Sequence, residues 1–169
     1  MPRRLLRDGR IVEDEWRYAA EGAADAATPL ILNVVEWQSE RDRWYAEDRR
    51  LGVVLSPIHK VEILAADLSR LALIAADFPG PSEGRGYSQA RQLREQLEFK
   101  GELRAVGFVR RDQLFLMARA GFNSFEMRDS DLEHAAAAVQ DFSYAYQPSN
   151  DAGLALKPQH RRTDRSATA

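Results

Sequence analysis

Short apolar runs alternate along the chain with segments whose apolar residues recur at helical spacing. The apolar runs predict six short strands, at residues 30–32, 51–57, 71–78, 102–107, 122–127 and 141–147. The segments between them predict helices at residues 35–50, 59–71, 86–101, 110–121 and 129–140. Strands without polar alternation that are separated by helices are typical of a parallel sheet with right-handed crossovers. We therefore expect an α/β fold with about six short, mostly parallel strands, as an open sheet or a partial barrel, covered on both faces.

The two ends of the chain differ from this alternating pattern. Asp8-Gly9 lies between two short apolar stretches, and this dipeptide favours a two-residue turn, so residues 3–14 predict a β-hairpin. Residues 19–28 are small and predict a linker. Residues 148–169 mix proline, glycine and polar residues without a period and predict a disordered tail. A chain of 169 residues is enough for one domain, which we expect to span residues 1–147.

The amino-acid composition excludes several kinds of binding site and cofactor. The net charge is -2, which argues against nucleic acid as a partner because phosphate binding needs a basic surface. The chain has no cysteine, which excludes disulfides, thiolate metal sites and cysteine-held iron–sulfur clusters. Its three histidines are far apart, so no metal site is predicted, and no flavin or nicotinamide motif is present, so no cofactor is recognised. No apolar run is long enough to cross a membrane and no signal region opens the chain, so we expect a cytoplasmic protein.

The predicted sheet brings several polar residues to one edge. The carboxyl ends of parallel strands lie on the same edge of the sheet, and ligands bind there. The residues expected on this rim are Ser56, His59, Asp77, Glu83, Arg85, Tyr87, Arg110, Arg111, Asp112, Arg128 and Gln147. Asp77 and Asp112 are the candidates for acid–base catalysis.

The segment "EGRG" at residues 83–86 is the strongest candidate for binding an anion. Its glycines let the backbone approach a ligand, and the helix that follows presents free N–H groups to it. The residues expected to bind the anion are Gly84, Arg85, Gly86, Gln89, Arg104 and Arg110. The structural alternative is that the glycines only permit a tight turn, Glu83 caps the helix and Arg85 pairs with Asp77. For Asp112, the alternative is a carboxylate favoured by the dipole at a helix start.

Trp37 and Trp44 are seven residues apart and share one face of the predicted helix 35–50. Core packing and a partner-binding surface both explain such a pair. The sequence leaves these two interpretations open.

Four motifs carry a resemblance to a known family. They are "GRGYSQA..LR" from residue 84, "ELRAVG" from residue 102, "RDQL" from residue 111 and "GF..F" from residue 121. Over residues 51–147 the chain resembles an uncharacterised bacterial family, domain of unknown function 934. Pro81 and Glu83 stand where that family typically has an aromatic residue and an aspartate, and Phe108 stands where it has an acid. Those differences make Arg85 a better functional candidate than Glu83.

The resemblance implies a role in sulfate assimilation and cysteine biosynthesis. Members of the family typically lie beside the haem-containing sulfite reductase and the sulfate-activation enzymes, and they are often labelled oxidoreductases. The implied function is an accessory protein that supports sulfite reductase by docking or by electron delivery, with the reductase or its electron donor as the partner. The resemblance supplies no catalytic residues.

A second function stays open from the residues themselves. It is a small α/β enzyme that binds an anionic metabolite at the Glu83–Arg85 loop, with Asp77 or Asp112 as the acid–base group. The sequence does not decide whether the protein catalyses a reaction, nor its oligomeric state.

Overall fold

A computed structural model of the protein describes residues 3–22, 25 and 27–141. Within these residues, eight strands form one sheet. They are β1 Arg4–Arg7, β2 Arg10–Glu13, β3 Arg17–Tyr18, β4 Leu30–Asn33, β5 Leu51–Leu55, β6 Leu71–Phe78, β7 Glu102–Gly107 and β8 Ser124–Phe125. Their order across the sheet is β2-β1-β8-β7-β6-β5-β4-β3, with β3 to β8 parallel and both pairs of β1 antiparallel.

The helices lie on one face of the sheet. They are α1 Val34–Ser39, α2 Arg41–Ala46, α3 Arg85–Arg91, α4 Leu114–Ala120 and α5 Asp129–Asp141. The parallel strands follow one another in sequence order, and right-handed crossovers between such strands place every connecting helix on the same side. The expectation that the sheet is covered on both faces by helices is therefore wrong. The sheet curls into an open half-barrel with the helices on its outer side.

The strands alternate between these two environments. On β6, Ile74, Ala76 and Phe78 point into the core beneath the helices, whereas Leu73 and Ala75 belong to a separate apolar cluster on the concave face. Among the residues that the structure describes, this second cluster draws no member from a helix. Asp77 follows the same alternation and also faces the concave side.

The N-terminal segment covers the concave face in place of helices. Trp16 lies between β2 and β3, is 2% exposed and packs in the cluster with Ile31 and Val106. Beside it, Arg104 on β7 is fully buried. Its Nη1 and Nη2 donate to the two carboxylate oxygens of Asp14 at 2.9 and 3.0 Å. This ion pair fixes the N-terminal segment to the middle of the sheet.

The predicted elements are found with some differences. The hairpin is confirmed, and Asp8 and Gly9 at its turn have φ angles of 50° and 76°. Five of the six predicted strands are present. The sixth, at residues 141–147, and the predicted tail at 148–169 lie outside the described residues, except that residue 141 belongs to α5. The strand that completes the parallel set is β3, so the described sheet has eight strands rather than six.

Three predicted helices differ from the observed ones, and the one predicted at residues 86–101 consists of α3 followed by a π-helical turn at Gln92–Gln96. The segment 35–50 is divided into α1 and α2, and the segment 59–71 contains only a 3-10 turn at Val61–Leu64. Trp37 is fully buried and Trp44 is 8% exposed, so the interpretation of this pair as a partner surface is wrong and core packing is confirmed. None of the described helices has the length and apolar character that crossing a membrane requires.

A buried carboxylate anchors α1 and α2. Asp67 is 1% exposed and accepts hydrogen bonds from Trp37 Nε1 at 2.9 Å, from Arg41 and from the Tyr45 hydroxyl. Burial alone would raise the pKa of Asp67, but the hydrogen bonds from Tyr45, Arg41 and Trp37 outweigh it and lower that pKa.

We expect Asp67→Asn to lower the free energy of unfolding by about 2 kcal/mol at neutral pH, because its partners lose a charged acceptor. Since the folded-state pKa of Asp67 lies below the unfolded value, its contribution is present above the unfolded pKa and is lost as pH falls through the folded pKa. Urea unfolding at pH 7 and at about pH 3 measures both effects. The difference between wild type and variant should shrink at the lower pH. Asp42→Asn, at an exposed position on α2, is the control and should change little at either pH.

Candidate functional site at the carboxyl edge of the sheet

The parallel strands end together at one edge, as the sequence predicts. Asp77 and Phe78 at the end of β6 are in register with Val106 and Gly107 at the end of β7. The Phe108 amide donates to the Phe78 carbonyl at 2.6 Å, which joins the two loops that follow. The loops after β6, β7 and β8 therefore lie side by side at this edge.

A cavity of about 350 Å³ opens at this edge on the concave side, and we call it the mouth cavity. Its lining includes Tyr18, Ile31, Val54, Asp77, Val106 and Glu126. Ile31, Val54 and Val106 give it apolar walls, and the other three place polar groups around them. Each parallel strand from β3 to β7 contributes one of these residues, so the curl of the sheet forms the cavity.

Asp77 is the carboxylate of this cavity that has no partner in the described part of the chain. Its carboxylate is half-buried, and it has no hydrogen-bond or ion-pair partner among the described side chains. Burial raises the pKa of Asp77 above its ordinary value. A carboxyl group in this state can act as an acid or a base, or can pair with a ligand that brings a positive charge. The structure thus places one of the two predicted catalytic candidates in a cavity.

Gly107 explains how the Asp77 carboxylate reaches its position. Gly107 has a φ angle of 85°, which favours glycine. A Cβ at this position would lie 2.6 Å from Asp77 Oδ1 and 2.6 Å from the Phe78 carbonyl oxygen. The missing side chain leaves the space in which the carboxylate lies against the backbone.

Glu126 lies across the cavity and is held by two partners. The Tyr18 hydroxyl donates to Glu126 Oε2 at 2.7 Å, and Arg3 Nη1 donates to Oε1 at 3.2 Å. Burial, followed by the charge of Glu126, raises the pKa of Tyr18, so this phenol stays protonated and donates. Tyr18 and Arg3 therefore hold a carboxylate at the cavity rim.

A second cavity continues along the same edge, between the starts of α4 and α5. It has a volume of about 920 Å³, and we call it the arginine groove. Its charged lining consists of three arginines and three carboxylates, namely Arg110, Arg111, Arg128, Asp112, Glu126 and Asp131, and Gly107 also lines it. Arg110 Nε lies 3.4 Å from Asp112 Oδ1. Neither Arg111 nor Arg128 forms an ion pair with any described residue, so two exposed guanidinium groups are available to a ligand.

In the loop predicted to bind an anion, residues 83–86, the two charged side chains form an ion pair with each other. Arg85 is exposed, and both its backbone N–H and its Nε donate to Glu83 Oε1, at 2.9 and 3.1 Å. Arg85 thus pairs with Glu83 and not with Asp77. Gly84 is the residue before α3, and a Cβ there would meet nothing within 4 Å.

Gly86 and Gln89 are engaged in packing. A Cβ on Gly86 would lie 2.4 Å from Cζ of the Phe78 ring, so the helix contacts that ring at its glycine. Gln89 is 4% exposed, and its Nε2 donates to the carbonyls of Ser56 and His59 at 2.9 and 2.8 Å. In the same loop, Ser56 Oγ lies 2.8 Å from His59 Nδ1. These contacts join α3 to the loop after β5.

The six predicted anion-binding residues do not converge on one point. Arg104 faces the concave side in the middle of β7 and is paired with Asp14 and Glu102, while Arg110 lies in the arginine groove. Gly86, Gln89 and Arg104 therefore have internal contacts that account for them. An anion at the Glu83–Arg85 loop stays a prediction.

Tyr18 and Glu126 belong to the candidate site although the sequence did not indicate them. Tyr18 lies in a two-residue strand, too short to show a pattern, and Glu126 lay inside the predicted strand 122–127. Arg94, within the motif "GRGYSQA..LR", was also missed. It donates to the carbonyls of Phe99, Gly101 and Gly121 at 2.7 to 3.0 Å, which is a structural role.

The contrast between neighbouring residues of the motif can be tested. We expect Gly86→Ala to lower the free energy of unfolding by about 1–3 kcal/mol, because the new methyl group overlaps the Phe78 ring. Arg85→Ala should change it by no more than about 0.5 kcal/mol, because the pair with Glu83 is exposed. Urea denaturation of both variants gives the comparison, and an equal loss in both would contradict these roles.

The chain matches the model of a known protein family. A family model described as "Bacterial protein of unknown function (DUF934)" matches residues 52–156, more than half of the 169-residue chain. The matched region begins in β5 and includes Asp77, the loop after β7 and the start of α5. Tyr18 and Ile31 of the mouth cavity come from residues before it. No curated protein matches the chain.

Proposed function

We propose that this chain, which belongs to the DUF934 family of bacterial proteins of unknown function, supports assimilatory sulfite reduction as an accessory protein. Its partner in this proposal is sulfite reductase or the electron donor of that enzyme. The proposal starts from the sequence motifs, whose resemblance implies a place beside sulfite reductase. The carboxyl edge of the sheet is the surface on which we expect the protein to act.

One observation supports that choice of surface. Asp77, Arg111 and Arg128 lie along one edge, inside the region that the family model matches, and none of them is neutralised by a described side chain. Elsewhere in the same region the buried charges are paired, as Arg104 is with Asp14 and Glu102. Charged groups that a protein does not use for its own folding are suited to steer and orient a partner.

Docking is the favoured form of support. Sulfite reduction requires redox cofactors, and a chain without cysteine offers no ligands for an iron–sulfur cluster of the usual kind. We therefore propose that the protein positions the reductase or its donor and does not carry the electrons. The absorption spectrum of the purified protein distinguishes the two forms. A band beyond the aromatic region, which bleaches on reduction, would favour electron delivery.

Growth of a deletion strain tests the proposed function. The strain is grown with sulfate, sulfite, sulfide or cysteine as the sole sulfur source. We expect sulfide and cysteine to restore growth and sulfate and sulfite to fail, because the block lies at sulfite reduction. Restoration by sulfite would place the protein upstream. Equal growth on all four sources would contradict a role in this reduction.

A further inference from the structure

The mouth cavity and the arginine groove meet at two shared residues. Gly107 and Glu126 line both of them. Asp77 approaches this junction closely, because a Cβ on Gly107 would lie 2.6 Å from Asp77 Oδ1. A ligand that crosses Gly107 therefore meets the Asp77 and Glu126 carboxylates on one side and, on the other, the Arg111 and Arg128 guanidinium groups, with the carboxylates of Asp112 and Asp131 beside them.

The mouth cavity suits a positively charged organic group. The half-buried Asp77 carboxylate has no described partner, and Glu126 supplies a second carboxylate that Tyr18 and Arg3 hold in place. No group of three or more His, Cys, Asp or Glu residues in the described part of the chain is arranged to hold a metal ion. The apolar walls formed by Ile31, Val54 and Val106 accommodate the carbon atoms of an organic cation.

Two arginines of the arginine groove suit the opposite charge. Arg111 begins the 3-10 turn Arg111–Gln113, and Arg128 immediately precedes α5, so the two come from neighbouring loops. Both are exposed and unpaired among the described residues, and both line the groove. Guanidinium groups bind carboxylate, sulfonate and phosphate oxygens with paired hydrogen bonds.

We propose that the joined cavity binds a zwitterionic metabolite of the amino-acid class, with its ammonium group at Asp77 and Glu126 and its anionic group at Arg111 and Arg128. The ammonium group of such a ligand matches the mouth cavity, its anionic group matches the arginine groove, and its carbon skeleton passes over Gly107. A ligand with only one of these charges would leave the charged residues of one cavity without a partner. The proposal does not depend on a role in sulfite reduction, since the binding site is defined by the protein's own charges.

Binding to the purified full-length chain tests the proposal. The probes are the standard L-amino acids and, for each one that binds, the amine that lacks its carboxylate and the acid that lacks its amino group. Calorimetric titration up to about 10 mM covers the affinities expected of a metabolite site. At least one amino acid should bind about tenfold more tightly than both of its matched analogues, because each analogue leaves one cavity without its charge partner.

Variants assign the site. Asp77→Asn and the pair Arg111→Gln with Arg128→Gln should each weaken binding by about tenfold or more, since each removes a charged contact. Asp42→Asn and the pair Arg10→Gln with Arg91→Gln make the same changes at exposed positions away from the edge and should bind as wild type does. Asp77→Asn should also keep the stability of the wild type, because burial already raises the pKa of Asp77 and disfavours its charge.

Three results would overturn the proposal. They are the absence of binding by every amino acid over this range, equal binding of an analogue that lacks one charge, and wild-type affinity in the edge variants. If a variant does not fold, the chemical shifts of the wild-type protein show whether the ligand binds at this site. The Gly107 amide resonance should move on addition of the amino acid that binds, and an unmoved resonance would place the ligand elsewhere. The two proposals can fail separately. If the protein binds an amino acid as expected but the deletion strain still grows on sulfate, the role in sulfite reduction is rejected and the binding site is retained.

Discussion

Replacing Arg104 by leucine is expected to lower the free energy of unfolding by about 3–5 kcal/mol, because the change strands a buried carboxylate. Arg104 is fully buried, and its partner Asp14 has a side chain that is 1% exposed. Burial alone would lower the pKa of Arg104, but the carboxylates of Glu102 and Asp14 outweigh it and raise that pKa. Without the guanidinium group, the Asp14 carboxylate has to stay buried without a partner or leave the concave face and take the N-terminal segment with it.

Chemical denaturation measures this loss. Two further variants serve as a control and as a test of its cause. Arg10→Leu makes the same change at an exposed position of β2 and should cost little. Adding Asp14→Asn to Arg104→Leu should recover part of the stability, because the stranded charge is gone. A loss below about 1 kcal/mol in Arg104→Leu would contradict the stabilising role given to this ion pair.

Gly107→Ala is expected to lower the free energy of unfolding by about 2–4 kcal/mol, through two separate causes. The φ angle of 85° is unfavourable for any residue with a Cβ, and that Cβ would lie 2.6 Å from the Phe78 carbonyl oxygen, a backbone atom that cannot move aside. The same methyl group would also lie 2.6 Å from Asp77 Oδ1. The variant should therefore displace the carboxylate at the junction of the two cavities.

Gly84→Ala is the matched control for this change. Its φ angle is -104°, and a Cβ there meets nothing within 4 Å. We expect its stability to stay within about 0.5 kcal/mol of the wild type or to rise slightly, since alanine restricts the unfolded chain. Thermal and urea unfolding of both variants make the comparison. Equal stability of the two alanine variants would contradict the role given to Gly107.

The strands that position the site were predictable because they are local patterns. β6 and β7 have the bounds that their apolar runs predict, and the hairpin turn at Asp8-Gly9 follows from the preferences of those two residues. The two-residue strand β3 gives no pattern to read. Which face the helices cover depends on the order of the strands across the sheet, and this is set by contacts between distant parts of the chain.

In the candidate site, too, the residues placed by a local pattern were predictable and those placed by contacts between distant segments were not. Asp77 ends an apolar run, so its place at the carboxyl edge follows from the strand alone. Arg104 is in register with Ala75, three residues before β6 ends, and its partner Asp14 is 90 residues away in sequence. No spacing in the sequence indicates such a pair. Tyr18 reaches Glu126 across the cavity for the same reason, because the curl of the sheet brings the N-terminal segment over the concave face.

Growth on sulfate tests most directly whether the carboxyl edge is the working surface in sulfite reduction. The deletion strain receives either the wild-type gene, a gene with Asp77→Asn, Arg111→Gln and Arg128→Gln, or a control with Asp42→Asn, Arg10→Gln and Arg91→Gln. We expect the wild type and the control to restore growth and the edge variant, present at the same level in the cell, to fail. Full growth with the edge variant would contradict the assignment of function to this edge.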